Sequence, residues 1–598
     1  MSSLLCCLCR KKTDADRDGG NQSDNVTSAP APAGDNSHEF ITTIIRNLES
    51  DPDSRDDQKQ IESQLQARPS AVFDVLRQEA NRMSLSAIPP TVTPLAASAS
   101  ATGTGADWVN CIGEQRCTPL MKTKPQTLGE LVAIINSARE SKQRVRAVGS
   151  GHAFSDVART DGAVLIDPVL LNDIDAVDAD TLRPHAKGMS KRLLQVQAGI
   201  TVRAFRLELE NRGLALINMG GYDGQTISGT LSTGTHGSGI KFGPMASQAK
   251  SVVLVAETGV VYWIEPGGEK GVSDPEKFKA TVDGVEVVLK QDDEWFQAAQ
   301  VAMGCLGVVF SYVLEVAEAY MVKEERKSTT WAEIKPKLAP AMWTPVAPVV
   351  AAVDHFELVL NPYTRWFRNA CVTVERTRLP GDTPASGARQ DWLEALLQAV
   401  AIQKAPDLVA FLTRIPFLSP LVIDQAIMTL VYDEPYIDKS FNVFSLGSAN
   451  EIKGMALELH CEASQCVPAI DKLLGVFQER ALRYMWYMAG PLGIRFVAPS
   501  EAFLAPQAGR MTCTIELAML VGLETGKDLA RHVKEAMCTL ESSSIRVHWG
   551  LDMDFVTAQD VRAWYPHFDR WQAVFGELNT TGMFSNSLTA RIGLDPPL

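Results

Sequence analysis

From about residue 107 onward, short runs of alternating apolar and polar residues are set around one well-marked helix. Pro125 stops helical structure before it. Thr127 is a ready N-cap with Glu130 as its capping-box partner, and Leu131, Ile134, Ile135 and Ala138 recur on one face. Apolar, β-branched runs at 145–148, 163–166, 194–198, 251–255, 260–264 and 308–316 predict strands. Beyond about residue 320 the alternating segments 355–360, 370–375, 456–460, 493–497 and 511–516 predict an antiparallel sheet with two distinct faces. The pattern is that of an α+β protein.

Two glycine-rich runs interrupt this pattern. Ala147-Val-Gly-Ser-Gly-His-Ala-Phe-Ser-Asp156 and Thr233-Gly-Thr-His-Gly-Ser-Gly239 place His152 and His236 84 positions apart. Each follows β-rich sequence, 144–148 and 225–231, and so reads as a strand breaking into a tight turn. Without a Cβ the backbone can take positive φ and bring successive N–H groups round a pyrophosphate, and Ser150, Thr233 and Thr235 add hydroxyl donors. No Gly-Lys-Ser/Thr follows, which excludes a P-loop. Nor is a Gly-x-Gly-x-x-Gly fingerprint present.

With these runs the chain resembles the FAD-linked oxidases of the vanillyl-alcohol oxidase type, and within them the aldonolactone and alditol oxidases. The likeness extends to Asp107-Trp-Val-Asn110, Met303-Gly-Cys-Leu-Gly-Val-Val309, Val547-His-Trp-Gly550 and Gly582-Met-Phe-Ser-Asn586. It implies a PCMH-type FAD-binding domain of two α+β subdomains at 107–320. A substrate domain at 321–598 would follow, with a large antiparallel sheet flanked by helices.

By the same resemblance His152 is the residue bonded to the flavin 8α-methyl, so that the FAD is covalent, although Ala153 stands where many relatives have Ser. Ala147, Val148, Gly149, Ser150, Gly151, His152 and Ala153 would wrap the pyrophosphate. Thr226, Gly229, Thr233, Gly234, Thr235 and His236 would contact the cofactor, with Val308 near its adenine or ribose and His548 near the ring. Taken alone, His152 reads equally as a buried structural histidine and His236 as a turn histidine bonded to its own loop.

The resemblance also locates the chemistry. Relatives carry a Glu-x-Arg pair on one strand, where this chain has Gly493-Ile-Arg495: the arginine is present and the glutamate is not. Arg495 then meets either a substrate carboxylate or a relocated acid, for which Glu458 and Glu516 are the candidates, each with an alternative reading as a structural ion pair. Leu551 stands where many relatives have Lys, which points to a less polar pocket. The implied reaction is oxidation of an alcohol group, most simply on a sugar-1,4-lactone, with O2 as acceptor and H2O2 as product. Two alternatives are oxidation of a hydrophobic alcohol such as a sterol, and a flavoprotein whose site has decayed.

Composition narrows this picture. At 598 residues, 45% hydrophobic and 21% charged, the chain supports more than one core. A net charge of −14, with 57 basic against 71 acidic residues, argues against nucleic acid as a partner. The eleven cysteines show no disulfide or zinc spacing, so no metal is expected: Cys461 and Cys466 come nearest, but alternation turns His460 away from Cys461. No run of about 18 apolar residues predicts a membrane span. Residues 1–37 read as a disordered tail and 38–106 as helices with a linker. The opening Met1-Ser-Ser-Leu-Leu-Cys-Cys-Leu-Cys-Arg-Lys-Lys12 is either incidental or a palmitoylation site for peripheral membrane attachment. The setting expected is intracellular, cytoplasmic or peripheral to a membrane.

Overall fold

The computed structural model describes residues 107–595, apart from 366–367, 388–411, 413–415, 432–433, 447–453, 521–523 and 539–544. The readings of the tail and of 38–106 lie outside the described residues.

The first half builds two main sheets, besides short two-stranded pairs of Trp108–Val109 with Arg116–Cys117 and of Leu214–Ala215 with Ala317–Glu318. Met121–Thr123 (β1), Leu128–Glu140 (α1), Val145–Ala147 (β2) and Val164–Ile166 (β3) form a parallel three-stranded layer in the order β1-β3-β2. Next come Ile174–Ala176 (β4), Leu193–Gln197 (β5), Val202–Asn211 (α2), Ile227–Ser232 (α3), Ala249–Val255 (β6), Val261–Glu265 (β7), Thr281–Val282 (β8), Val285–Gln291 (β9), Asp293–Ala299 (α4) and Val308–Glu315 (β10). Their strands make a seven-stranded sheet in the order β8-β9-β7-β6-β10-β5-β4.

Helix α1 is capped by Thr127, whose hydroxyl accepts from Glu130 N. The Glu130 carboxylate reaches back one residue further than the capping box predicts, to Gln126 N. Leu128, Leu131 and Ile135 are fully buried between the sheets, and each contributes about 1.5–3 kcal/mol by leaving water.

One prediction is overturned here: residues 225–231 are not a strand. From Ile227 they enter α3, because the Thr226 side chain accepts from Gly229 N and caps a turn that the β-propensity of Thr and Ile would otherwise oppose. The chain leaves that helix at Thr233, and Gly234 turns it with φ +77°.

A further sheet, of eight strands with every neighbouring pair antiparallel, occupies the carboxyl-terminal half. Its elements are Tyr320–Thr330 (β11), His355–Leu360 (β12), Ala370–Pro380 (β13), Ser419–Met428 (α5), Tyr436–Lys439 (β14), Gly454–Glu462 (β15), Cys466–Tyr484 (α6), Leu492–Val497 (β16), Thr512–Leu520 (β17), Glu524–Cys538 (α7) and Arg546–Val547 (β18). The order is β14-β11-β13-β12-β16-β17-β15-β18. Three helices close the chain, Ala558–Trp564 (α8), Phe568–Leu578 (α9) and Ser587–Arg591 (α10).

The buried guanidinium of Arg146, on β2, ties distant motifs together. It donates to Val157 O at 2.7 Å, Met303 O at 2.6 Å, Phe584 O at 2.9 Å and Gly304 O at 3.3 Å. An unpaired buried cation would be prohibitive, and these carbonyls at three chain turns supply the solvation it lost. Asn586 adds bonds to Val157 O and Arg159 O, so the 582–586 turn is pinned beneath the His152 loop.

Candidate active site

Both glycine turns come together. The Gly149 α-carbon is so close to Thr226 that a Cβ would stand 2.2 Å from its Oγ1, and Ser150 Oγ donates to Gly224 O at 2.7 Å. Gly151 has φ +70°. Asn110 Nδ2 donates to Ala153 O, and Phe154 N and Ser155 Oγ donate to Gly550 O and Trp549 O. The His548-Trp549-Gly550 segment therefore braces the first turn, and it also reaches the second: a Gly550 Cβ would lie 3.1 Å from Thr233 Oγ1.

This arrangement suits a dinucleotide diphosphate. Backbone approaches closely where no side chain intrudes, and the buried Thr235 Oγ1 has no hydrogen-bond partner among the described residues. Ala147 to Ala153 and Thr233 to His236 form the two turns, with Thr226 as the N-cap of α3 and Gly229 in its first turn. Val308 opens β10, where it pairs with Val255 and is buried.

His152 Nε2 lies 2.7 Å from the Tyr222 hydroxyl. Burial pushes its pKa down to about 4, so the ring is neutral. Tyr222 was not anticipated, because its contact depends on a loop returning to β2 rather than on any local pattern.

The eight-stranded sheet supplies a charged face. Register sets Glu357 opposite Arg495, Arg495 opposite Thr514, and Thr514 opposite His460; one step along, Gly493, Glu516 and Glu458 are aligned. Residues directly opposite share a face, so six chemistry-bearing side chains on four strands project together, with Gly493 among them. Arg495 donates to Glu516 Oε2 at 2.7 Å and lies 3.6 Å from Glu458 Oε1. Both relocated acids thus meet the arginine. Burial works against its charge, but Glu516, Glu357 and Glu458 together raise its pKa.

Glu357 was legible only as an alternating strand residue. It is bonded to Arg376 at 2.5 Å, and although burial opposes ionisation, Arg376 and Arg495 hold its pKa near 2.

His236 joins the two halves. Its Nε2 is 3.0 Å from Glu458 Oε2 and its Nδ1 donates to Gly237 O at 2.8 Å. With an acceptor at each nitrogen the ring carries both protons, and despite the opposing effect of burial Glu458 raises the His236 pKa. Burial likewise opposes the Glu458 charge, and His236 overcomes it. The bond to its own loop and the bond across to Glu458 coexist.

His460 Nε2 is 3.4 Å from the same Glu458 oxygen but, being buried, is held neutral at about 4. His548 is also kept neutral by burial, at about 3, with Nδ1 accepting from Gly550 N.

Ligand atoms of His236, Glu458 and His460 fall within 4.8 Å of one another, close enough for a metal. Both imidazoles, however, share a single carboxylate oxygen while a permanent guanidinium stands beside the other. That set holds protons more readily than a second cation. Cys461, by contrast, faces Cys513 on the opposite side of the sheet, as alternation predicts.

Residues 119–265 match the family model described as FAD binding domain, and residues 317–592 that of D-arabinono-1,4-lactone oxidase. The chain is 27% identical over 486 residues to L-gulono-1,4-lactone dehydrogenase of Mycobacterium tuberculosis, covering 81% of this chain and 98% of that one. It is 24% identical over 493 residues to L-gulonolactone oxidase of Bos taurus, covering 81% and 97%. Among solved structures, cholesterol oxidase from B. sterolicum superposes with a TM-score of 0.60 at 14% identity, covering 85% of this chain and all of that one. At that identity the likeness concerns the fold alone.

Proposed function

We propose, for a chain that belongs to the family of FAD-linked sugar-lactone oxidases and dehydrogenases, that it oxidises a carbinol of a sugar-1,4-lactone, with O2 as acceptor and H2O2 as product. Bound FAD would supply the hydride acceptor. The two glycine turns would hold its diphosphate, and His152 would carry it covalently.

The observation that carries this reading is the partly exposed Arg495–Glu516 pair, set on the sheet beside the turn that bears His236. In the reaction Glu516, the more exposed carboxylate, accepts the hydrogen bond of the substrate hydroxyl and takes its proton, while Arg495 stabilises the charge that develops on that oxygen. Glu458 stays ionised behind them and keeps His236 charged, which favours negative charge developing on the cofactor side. Thr514, buried between Arg495 and His460 with its hydroxyl free among the described residues, offers one further donor.

With three carboxylates round Arg495, a substrate carboxylate would be repelled, so the lactone rather than the free acid fits. The same charges would be costly to desolvate beneath the apolar ring system of a sterol. Peroxide assays with aldonolactones, the corresponding aldonates and sterols test this. Turnover of lactones alone supports it, and peroxide from sterols alone contradicts it. Among the described residues no helix is long and apolar enough to cross a membrane.

A further inference from the structure

We infer that Tyr222 is the positioning residue for attachment of the cofactor to His152. Its hydroxyl occupies Nε2 and leaves Nδ1 as the nitrogen that takes the 8α carbon. This rests on the covalent reading above.

Three observations place Tyr222 deliberately rather than by accident. Its ring folds back over Gly224, where a Cβ would stand 2.5 Å from the hydroxyl, so a side chain at 224 would exclude it. The Gly224 carbonyl is held by Ser150 Oγ, two residues before His152. Asp223 between them is buried and bridged to Arg203 at 2.8 Å and Arg206 at 3.0 Å, both on α2. The Tyr222 backbone is thereby fixed relative to the His152 turn, and the two rings lie 4.4 Å apart between centroids.

A neutral imidazole has one N–H and one lone pair, and the partner at one nitrogen decides which is free at the other. Tyr222 suits both ends of the reaction because a hydroxyl can accept or donate. Before the bond forms it accepts from Nε2–H, which concentrates the lone pair on Nδ1. As Nδ1 takes the 8α carbon, that carbon gives up one proton and Nε2 gives up the other. The electron pair of the broken C–H bond passes through the ring system to O2, which leaves with both protons as H2O2. Afterwards the hydroxyl donates to the bare Nε2. Burial raises the Tyr222 pKa, so it keeps its proton for that second role.

The test uses the full chain, reconstituted with FAD, and reads colour in the acid-precipitated pellet together with mass spectrometry of the His152 peptide. The wild type gives a yellow pellet with the flavin on Nδ1. Tyr222→Phe keeps the ring and is expected to bind FAD but to attach it about 10²-fold more slowly, the low end of what a positioned proton acceptor contributes, or to give mixed Nδ1 and Nε2 products. Gly224→Ala should do the same by displacing the hydroxyl, and it decides the matter if Tyr222→Phe does not fold. Attachment by both variants at the wild-type rate and position overturns the inference. A colourless wild-type pellet instead removes the covalent reading on which it rests.

Discussion

Glu516 takes the space above Gly493. The two are register partners on β17 and β16, and a Cβ on Gly493 would stand 3.6 Å from Glu516 Oε2 and 3.8 Å from an Arg495 guanidinium nitrogen. A glutamate at 493 would therefore compete with Glu516 for one arginine. Gly493→Glu and Glu516→Ala are each expected to lower kcat/KM by at least about tenfold, and the double variant to recover part of the loss. Strictly additive losses in the kinetic cycle would show that the two positions do not share one role.

Arg495→Ala removes the cation that three carboxylates share. Turnover should fall by roughly 10²-fold or more, the scale of losing one electrostatic stabiliser of an oxyanion. Steady-state kinetics with saturating lactone check it, and unchanged turnover would take Arg495 out of the site.

Glu458→Gln leaves the His236 imidazolium buried without its counter-charge. Breaking such a pair costs about 3–5 kcal/mol, read as a shift in the denaturation midpoint. The His236→Gln/Glu458→Gln double variant should lose less than the sum of the two single ones.

Stability should decline on mild acidification. Burial keeps the folded-state values of His355, His460 and His548 at about 3, 4 and 3. The unfolded chain binds these protons near pH 6.5 and the folded chain does not, so stability falls as pH drops from there toward 4. Each buried histidine contributes about 1.4 kcal/mol per pH unit. His236 has the opposite sign: with its pKa raised, its contribution is full below the unfolded value and is lost as pH rises through the folded one. Denaturant titrations from pH 7 to 4.5 would reveal the slope, and His548→Asn should flatten it.

Period-two alternation made the large sheet legible, since Glu458 with His460 and Gly493 with Arg495 fall on one face in both sequence and structure. It could not give strand order, and only the pairing of β12 with β16 brings Glu357 to Arg495. Local propensity misread 225–231 because a six-residue helix is decided by one cap, Thr226, and by its docking beneath the first turn. Arg146 and Tyr222 were opaque for the same reason: their partners lie across long chain separations.

The most direct test of the whole account is anaerobic mixing of the FAD-loaded protein with L-gulono- or D-arabinono-1,4-lactone while the visible flavin band is followed. The account predicts that the band bleaches and that admitting air restores it with release of H2O2. A band that light can reduce but no aldonolactone ever bleaches would contradict it.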